Sequence, residues 1–188
     1  MVVDTSVKEY TAEDLITYKL QRFGVYVAKP KFDVEGTDLF AMLKVESDTG
    51  VIFKYCRVQC KYRSLVGPRK NPIQINESYV RPDFIVFLYV EDGDIAENHL
   101  FCFFWEDIKS NSSPWTLRGN HFRLSIKRKN FKETLTRYVF DQTKLDRIKQ
   151  RIKTSFEVIE PIHVFLEATE PVDQAKIEIS TRGENKID

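Results

Sequence analysis

Phe84-Ile85-Val86-Phe87-Leu88-Tyr89-Val90 is an apolar and aromatic run without a polar break. A strand with one wet face alternates apolar and polar residues, whereas an unbroken run reads as a strand covered on both faces. Glu91 to Asn98 turns the chain, and Leu100 to Trp105 reads as a second buried strand. Upstream, Phe53 to Arg63 does alternate. Val58, Cys60 and Tyr62 share one side, and Arg57, Gln59, Lys61 and Arg63 share the other. That second side is most simply a solvated sheet face. Ser64 to Asn71, with Gly67 and Pro68, reads as a loop.

Working further outward, Thr11 is positioned to cap a helix, with Asp14 three residues on. Leu15, Ile16, Leu20 and Phe23 follow at helical spacing, and Gly24 takes the position just past the helix end. Val25 to Ala28 reads as a short strand stopped by Pro30, and Leu39 to Val45 as another. Ser47-Asp48-Thr49-Gly50 reads as a hairpin turn. On the C-terminal side, His121 to Ile126 reads as a strand. Lys144 to Lys153 reads as a helix with Leu145, Ile148 and Ile152 on one stripe, and Ile162 to Leu166 as a late strand. This order of elements points to one layered α/β or α+β domain, which suits a chain of 188 residues.

Composition is that of an ordinary folded protein, with 42% hydrophobic and 30% charged residues. The net charge of +1 divides unevenly. From Thr154 to Asp188 eight acids face three bases, giving −5 and leaving +6 on the residues before. Arg118 to Lys132 holds six bases (Arg118, Arg123, Lys127, Arg128, Lys129 and Lys132) and no acid, a run that attracts phosphate backbones. Such a run is, more plainly, a solvated face. The three cysteines, Cys56, Cys60 and Cys102, make an odd count and complete no metal site with the scattered His99, His121 and His163. Reduced, buried thiols suit a cytoplasmic location. No apolar stretch has the length of a signal peptide or a membrane span, so no membrane partner is expected.

Glu13 on the first helix, Asp38 after Gly36-Thr37, and Gln59-Cys60-Lys61 on the alternating strand form a possible constellation. Asp38 opens one hairpin strand, and Gln59 and Lys61 sit on its partner 21 residues and more away. Oxygen ligands and a lysine at one place are what divalent-metal phosphodiester hydrolysis requires. Glu13 also stands eleven residues before Gly24.

The pattern Ala12-Glu13, Leu20-x-x-x-Gly24, Gly36-Thr37-Asp38 and Gln59-Cys60-Lys61 resembles the PD-(D/E)XK nuclease superfamily. The likeness is to the branch with Holliday-junction resolvases and Mrr-type restriction enzymes, and it covers roughly residues 10 to 63. The resemblance implies an α/β fold with a restriction-endonuclease-like core, a central mixed sheet flanked by helices. It implies a nuclease-like domain over residues 1–156, with basic elements over 118–153; charge and polarity make 157–188 an acidic, partly mobile extension of the same single-domain protein. Asp38 would be the principal metal ligand, joined by the Gln59 side chain, the Cys60 backbone carbonyl and Glu13. Lys61 would be the catalytic lysine, and Mg²⁺, with Mn²⁺ as a substitute, the cofactor. Gln59 departs from the commoner Glu, and Asp33 or Glu35 could compensate for the lost charge. DNA would be the partner, contacted by Arg57, Arg63, Arg69, Lys70, Arg118, Arg123, Lys127, Arg128 and Lys129. A homodimer would let so small an enzyme reach both strands. Two other readings remain open: a catalytically inactive nuclease-fold protein that binds nucleic acid or a protein, and an unrelated α+β interaction domain.

Overall fold

The computed structural model describes residues 5–31, 35–47, 50–65, 71–92, 97–155, 158–159 and 166–168. Helix α1 (Thr5–Arg22) leads into β1 (Tyr26–Pro30), β2 (Leu39–Ser47) and β3 (Gly50–Ser64). β4 (Asn71–Asn76) and a 3-10 turn (Glu77–Tyr79) follow, then β5 (Phe84–Asp92), β6 (Glu97–Phe104) and α2 (Trp105–Lys109). The chain continues through β7 (Trp115–Arg118), β8 (His121–Ile126), α3 (Phe131–Leu135) and α4 (Gln142–Thr154). The last described elements are two short pieces, β9 (Val158–Ile159) and β10 (Leu166–Ala168). The central sheet runs β10-β1-β2-β3-β5-β6, with β9 also paired to β3. β1, β2 and β3 form an antiparallel meander, β5 lies parallel to β3, and β6 returns antiparallel. The protein is therefore α/β with a mixed sheet. No helix among the described residues is long and apolar enough to cross a membrane.

The unbroken run behaves as its composition demands. Phe84 through Leu88 are all fully buried. Phe84, Val86, Leu88 and Val90 enter one core, and Ile85 and Phe87 enter another. The Ile85 side is covered by α1 and α4 through Ile16, Leu20, Leu145, Ile148 and Ile152. The opposite side is covered by a second, antiparallel sheet, β4-β8-β7, together with α2 and α3. The layers are thus helices, large sheet, small sheet. The expected helices flank one face; on the other, strands supply most of the cover and α2 and α3 add only five residues each.

One expectation is overturned. The Arg57–Gln59 side of β3 is not a solvated face, since Arg57 is 5% and Gln59 7% exposed. β4 begins at Asn71, where a loop was expected to end, and the intervening residues 66–70 lie outside the described set. α1 also begins earlier than a Thr11 cap allows, which places Thr11 inside the helix. No Gly or Pro before Thr11 interrupts it. Its other end is as expected. Gly24 adopts φ +78°, the Val25 amide donates to the Leu20 carbonyl and the Gly24 amide to the Gln21 carbonyl, the paired bonds of a Schellman ending. Of the expected helical stripe, Ile16 and Leu20 are buried while Phe23 is exposed. Trp105 opens α2 instead of closing β6, and Phe101, Phe103, Phe104 and Trp115 belong to the interior. Of the late strand expected over 162–166, residues 162–165 lie outside the described set, and β10 starts at Leu166 and pairs with β1.

Phe103 carries the contact between the layers, with Trp115 of the small sheet edge-on at 5.4 Å and Tyr138 at 4.6 Å. Phe103→Ala is expected to cost about 3–5 kcal/mol of stability in urea denaturation.

Candidate functional site

The site grows from the point where β2 and β3 part. Leu39 opposite Val58 is the first pair of that ladder, and the Asp38 amide makes one further bond to the Val58 carbonyl at 2.9 Å. β3 continues to Ser64 beside β5, so beyond Val58 its other edge faces the start of β2. The Asp38 carboxylate occupies that edge, where its Oδ2 accepts from the Cys60 amide at 2.6 Å. A strand residue sends its N–H and C=O to the same edge. The Cys60 carbonyl is therefore directed to the side on which Asp38 stands.

Gln59 lies one residue back, with its side chain on the face away from α1. Its Oε1 is buried and has no protein hydrogen-bond partner; the same holds for Thr37 Oγ1, beside Asp38. Gly36 brings the loop in close. At φ +70°, a Cβ there would stand 2.6 Å from two ring carbons of Tyr79 and 3.0 Å from Gln59 Nε2. Only glycine combines the left-handed backbone with so close an approach of the Tyr79 ring and the Gln59 amide to the loop. By strand alternation Lys61 shares the Gln59 face, and it is partly buried.

Glu13 belongs to α1, on the opposite face of the sheet, and its carboxylate is paired with the Lys29 ammonium from β1. The two sets meet electrostatically at Cys60. Burial pushes the Cys60 thiol well above its ordinary pKa; the Asp38 and Glu13 carboxylates raise it further, and Lys61 and Lys29 draw it back. The thiol thus feels all four charges and is held protonated. Cys56 and Cys102 are also free and buried, and burial likewise raises Cys102.

The expected DNA contacts fare unevenly. Arg57 is buried and spent internally. Its Nη2 reaches Asp83 Oδ1 at 3.0 Å, its Nε bonds the other Asp83 oxygen, and its Nη1 reaches Glu35 Oε2 at 2.9 Å. A desolvated guanidinium satisfied by carboxylates is not presented to a phosphate. Arg63 spends its donors on the Pro72 and Tyr62 carbonyls. Arg128 pairs with Asp92. Arg123 is half-buried, while Arg118, Lys127 and Lys129 are exposed. Arg69 and Lys70 lie outside the described residues. The basic run is also divided along β8. The turn after Arg118 docks on Glu77, two residues from Tyr79, through the Asn120 carbonyl. Lys127 to Lys129 lie past the other end of that strand, about 20 Å away at some 3.3 Å per residue.

Glu35 does not compensate for Gln59, because Arg57 holds its carboxylate and Arg81 stands 3.7 Å from it; Asp33 lies outside the described residues. Among the described residues no group of three His, Cys, Asp or Glu is close enough to hold a metal. Of the two expected carboxylates, Asp38 stands on this edge, while Glu13 lies across the sheet and is paired with Lys29. A hard cation here would draw on Asp38, the orphaned Gln59 oxygen and the Cys60 carbonyl, with water completing the shell. That donor set suits Mg²⁺, which keeps several waters and needs one or two carboxylates. Two clefts of about 400 and 180 Å³ lie elsewhere, and neither is lined by Asp38, Gln59 or Lys61. Sequence reading passed over Lys29, Tyr79 and Asp83, and gave Thr37 no role of its own. Only Lys29, a charge in an otherwise apolar strand, carried a local signal.

No family model matches the chain, and no curated protein matches it.

Gly36→Ala is expected to cost at least about 1–2 kcal/mol from its left-handed backbone alone, read as a lowered thermal midpoint, with Tyr79 displaced in addition.

Proposed function

We propose that the protein is a Mg²⁺-dependent DNA endonuclease with a restriction-endonuclease-like core. One observation carries the reading: the buried, unpartnered Gln59 Oε1 stands on the residue next to the Asp38–Cys60 contact. Burying an amide oxygen without a partner costs about 1–3 kcal/mol, so such an atom calls for an occupant. The αβββ order, with Glu13 on the helix, Asp38 at the strand fork and Gln59 and Lys61 on the next strand, supports the same reading.

A bound Mg²⁺ would supply Lewis acidity toward a phosphate oxygen and a bound water. Asp38 orients and charges that position, and its carboxylate is itself fixed by the Cys60 amide. Gln59 adds a neutral oxygen, so the site leans on Asp38 more than a two-carboxylate strand would. Lys61 would orient the attacking water and offset the negative charge that grows on the phosphorus centre. Among the described residues, Arg118, Lys127 and Lys129 are exposed bases that would meet the backbone. The cleavage proposed is guided by DNA structure or by weak sequence preference. Two-fold dimerisation would bring one such site to each strand.

A specific observation favours a second reading, a non-catalytic nuclease-fold protein that binds nucleic acid or a protein partner. The Glu13 carboxylate is already neutralised by Lys29, which leaves Asp38, among the described residues, as the one expected acid facing a metal.

Incubation with supercoiled plasmid and four-way junction DNA separates the two. The endonuclease reading predicts cleavage with Mg²⁺ or Mn²⁺ that falls at least 100-fold in Asp38→Ala and Lys61→Ala, in line with the loss of a metal ligand or of electrostatic stabilisation of the transition state, about 10²–10³-fold. DNA binding without cleavage by the wild type would establish the second reading in its place.

A further inference from the structure

We propose that Arg57 is a positioning residue that fixes the Asp38 carboxylate through Glu35; its consequence for metal binding rests on the metal-site reading above. Arg57 is 5% exposed, and its backbone amide bonds the Asp83 carbonyl at 2.8 Å. Two guanidinium nitrogens grip both oxygens of Asp83, and a third reaches Glu35 Oε2 at 2.9 Å. A bidentate fork sets the plane of the guanidinium, so the direction of its remaining donor is set as well. Glu35 is held by a rigid group that belongs to the site strand itself.

Glu35 needs such an anchor. It is the one non-glycine residue with positive φ among the described residues, at +48°, and Gly36 follows at +70°. Two successive left-handed residues make a sharp reversal that a residue with a side chain rarely adopts unless its surroundings impose it. Three residues after Glu35, Asp38 is fastened by its amide to Val58 and by its carboxylate to Cys60. The loop is thus tied at both ends to β3, at Arg57 on one side and at Val58 and Cys60 on the other. The short span between the ties leaves the carboxylate little freedom to turn away from the Gln59 and Cys60 oxygens. Lysine could not replace Arg57, because a point charge fixes no plane.

The two arms of Arg57 differ usefully. The Asp83 side chain is 13% exposed, whereas that of Glu35 is 51% exposed. Glu35→Gln therefore loosens the loop and leaves the buried Arg57–Asp83 pair in place. Amide hydrogen exchange followed by NMR reads the result directly on the full chain. The Cys60 amide, which donates to Asp38, is expected to exchange at least tenfold faster in Glu35→Gln, with Phe87 and Leu88 amides on β5 unchanged. Mn²⁺ affinity by electron paramagnetic resonance is expected to weaken about tenfold in the same variant. Arg57→Lys should show the same faster exchange at Cys60. Cys60 protection within twofold of the wild type in Glu35→Gln would overturn the proposal. If the wild type bound no Mn²⁺, the metal-site reading would fall, and the exchange result would still decide the role of Arg57.

Discussion

Burial of β5 on both faces is the constraint from which the rest of the structure follows. A strand carrying Phe84 through Leu88 cannot leave either side in water without exposing several large side chains, each worth about 1.5–3 kcal/mol of transfer free energy. Two layers must therefore close over it. Helices α1 and α4 supply one through a stripe of Ile and Leu, and the small sheet β4-β8-β7 supplies the other. Because β5 runs parallel to β3, the chain must also cross from one end of the sheet to the other between them. That crossing carries β4 and the 3-10 turn, and so delivers both the second layer and Tyr79.

The candidate site is a by-product of the same arrangement. β3 spans Gly50 to Ser64, long enough to serve β2 along its first half and β5 along its second. Where the two pairings hand over, β3 exposes a backbone edge, and Asp38 fills it. The Gly36 loop and the Tyr79 ring close in beside Gln59, and a polar side chain on a strand becomes a desolvated oxygen with an unmet bond. The same burial converts Arg57 from a surface base into an internal strut between Asp83 and Glu35. Charges inside such a layer endure only when paired, and the removal of one partner of a buried pair typically costs about 3–5 kcal/mol.

Much of this was legible in the residues. The doubly buried strand, its neighbour β6, the β8 segment and the Leu145-Ile148-Ile152 stripe follow from short-range pattern, and Gly24 from helix-ending chemistry. The covering sheet did not follow. β4 contains Pro72 and β7 is only four residues long; both become strands through their pairing with β8, which no local window reveals. The fate of Arg57 was hidden for a related reason, since its partners lie 22 residues before it and 26 after. At the site, the Gly36-Thr37-Asp38 and Gln59-Cys60-Lys61 segments could be singled out in sequence. The Lys29 contact with Glu13 and the Tyr79 ring over Gly36 could not, because both are made across elements.

Crystals soaked in Mn²⁺ and measured at the manganese absorption edge test the central claim most directly. The account predicts one anomalous peak within coordination distance of an Asp38 carboxylate oxygen, Gln59 Oε1 and the Cys60 carbonyl, at about 2.0–2.3 Å from each. No peak at the β2–β3 fork under saturating Mn²⁺, or an ordered water bonded to Gln59 Oε1 in its place, would contradict it.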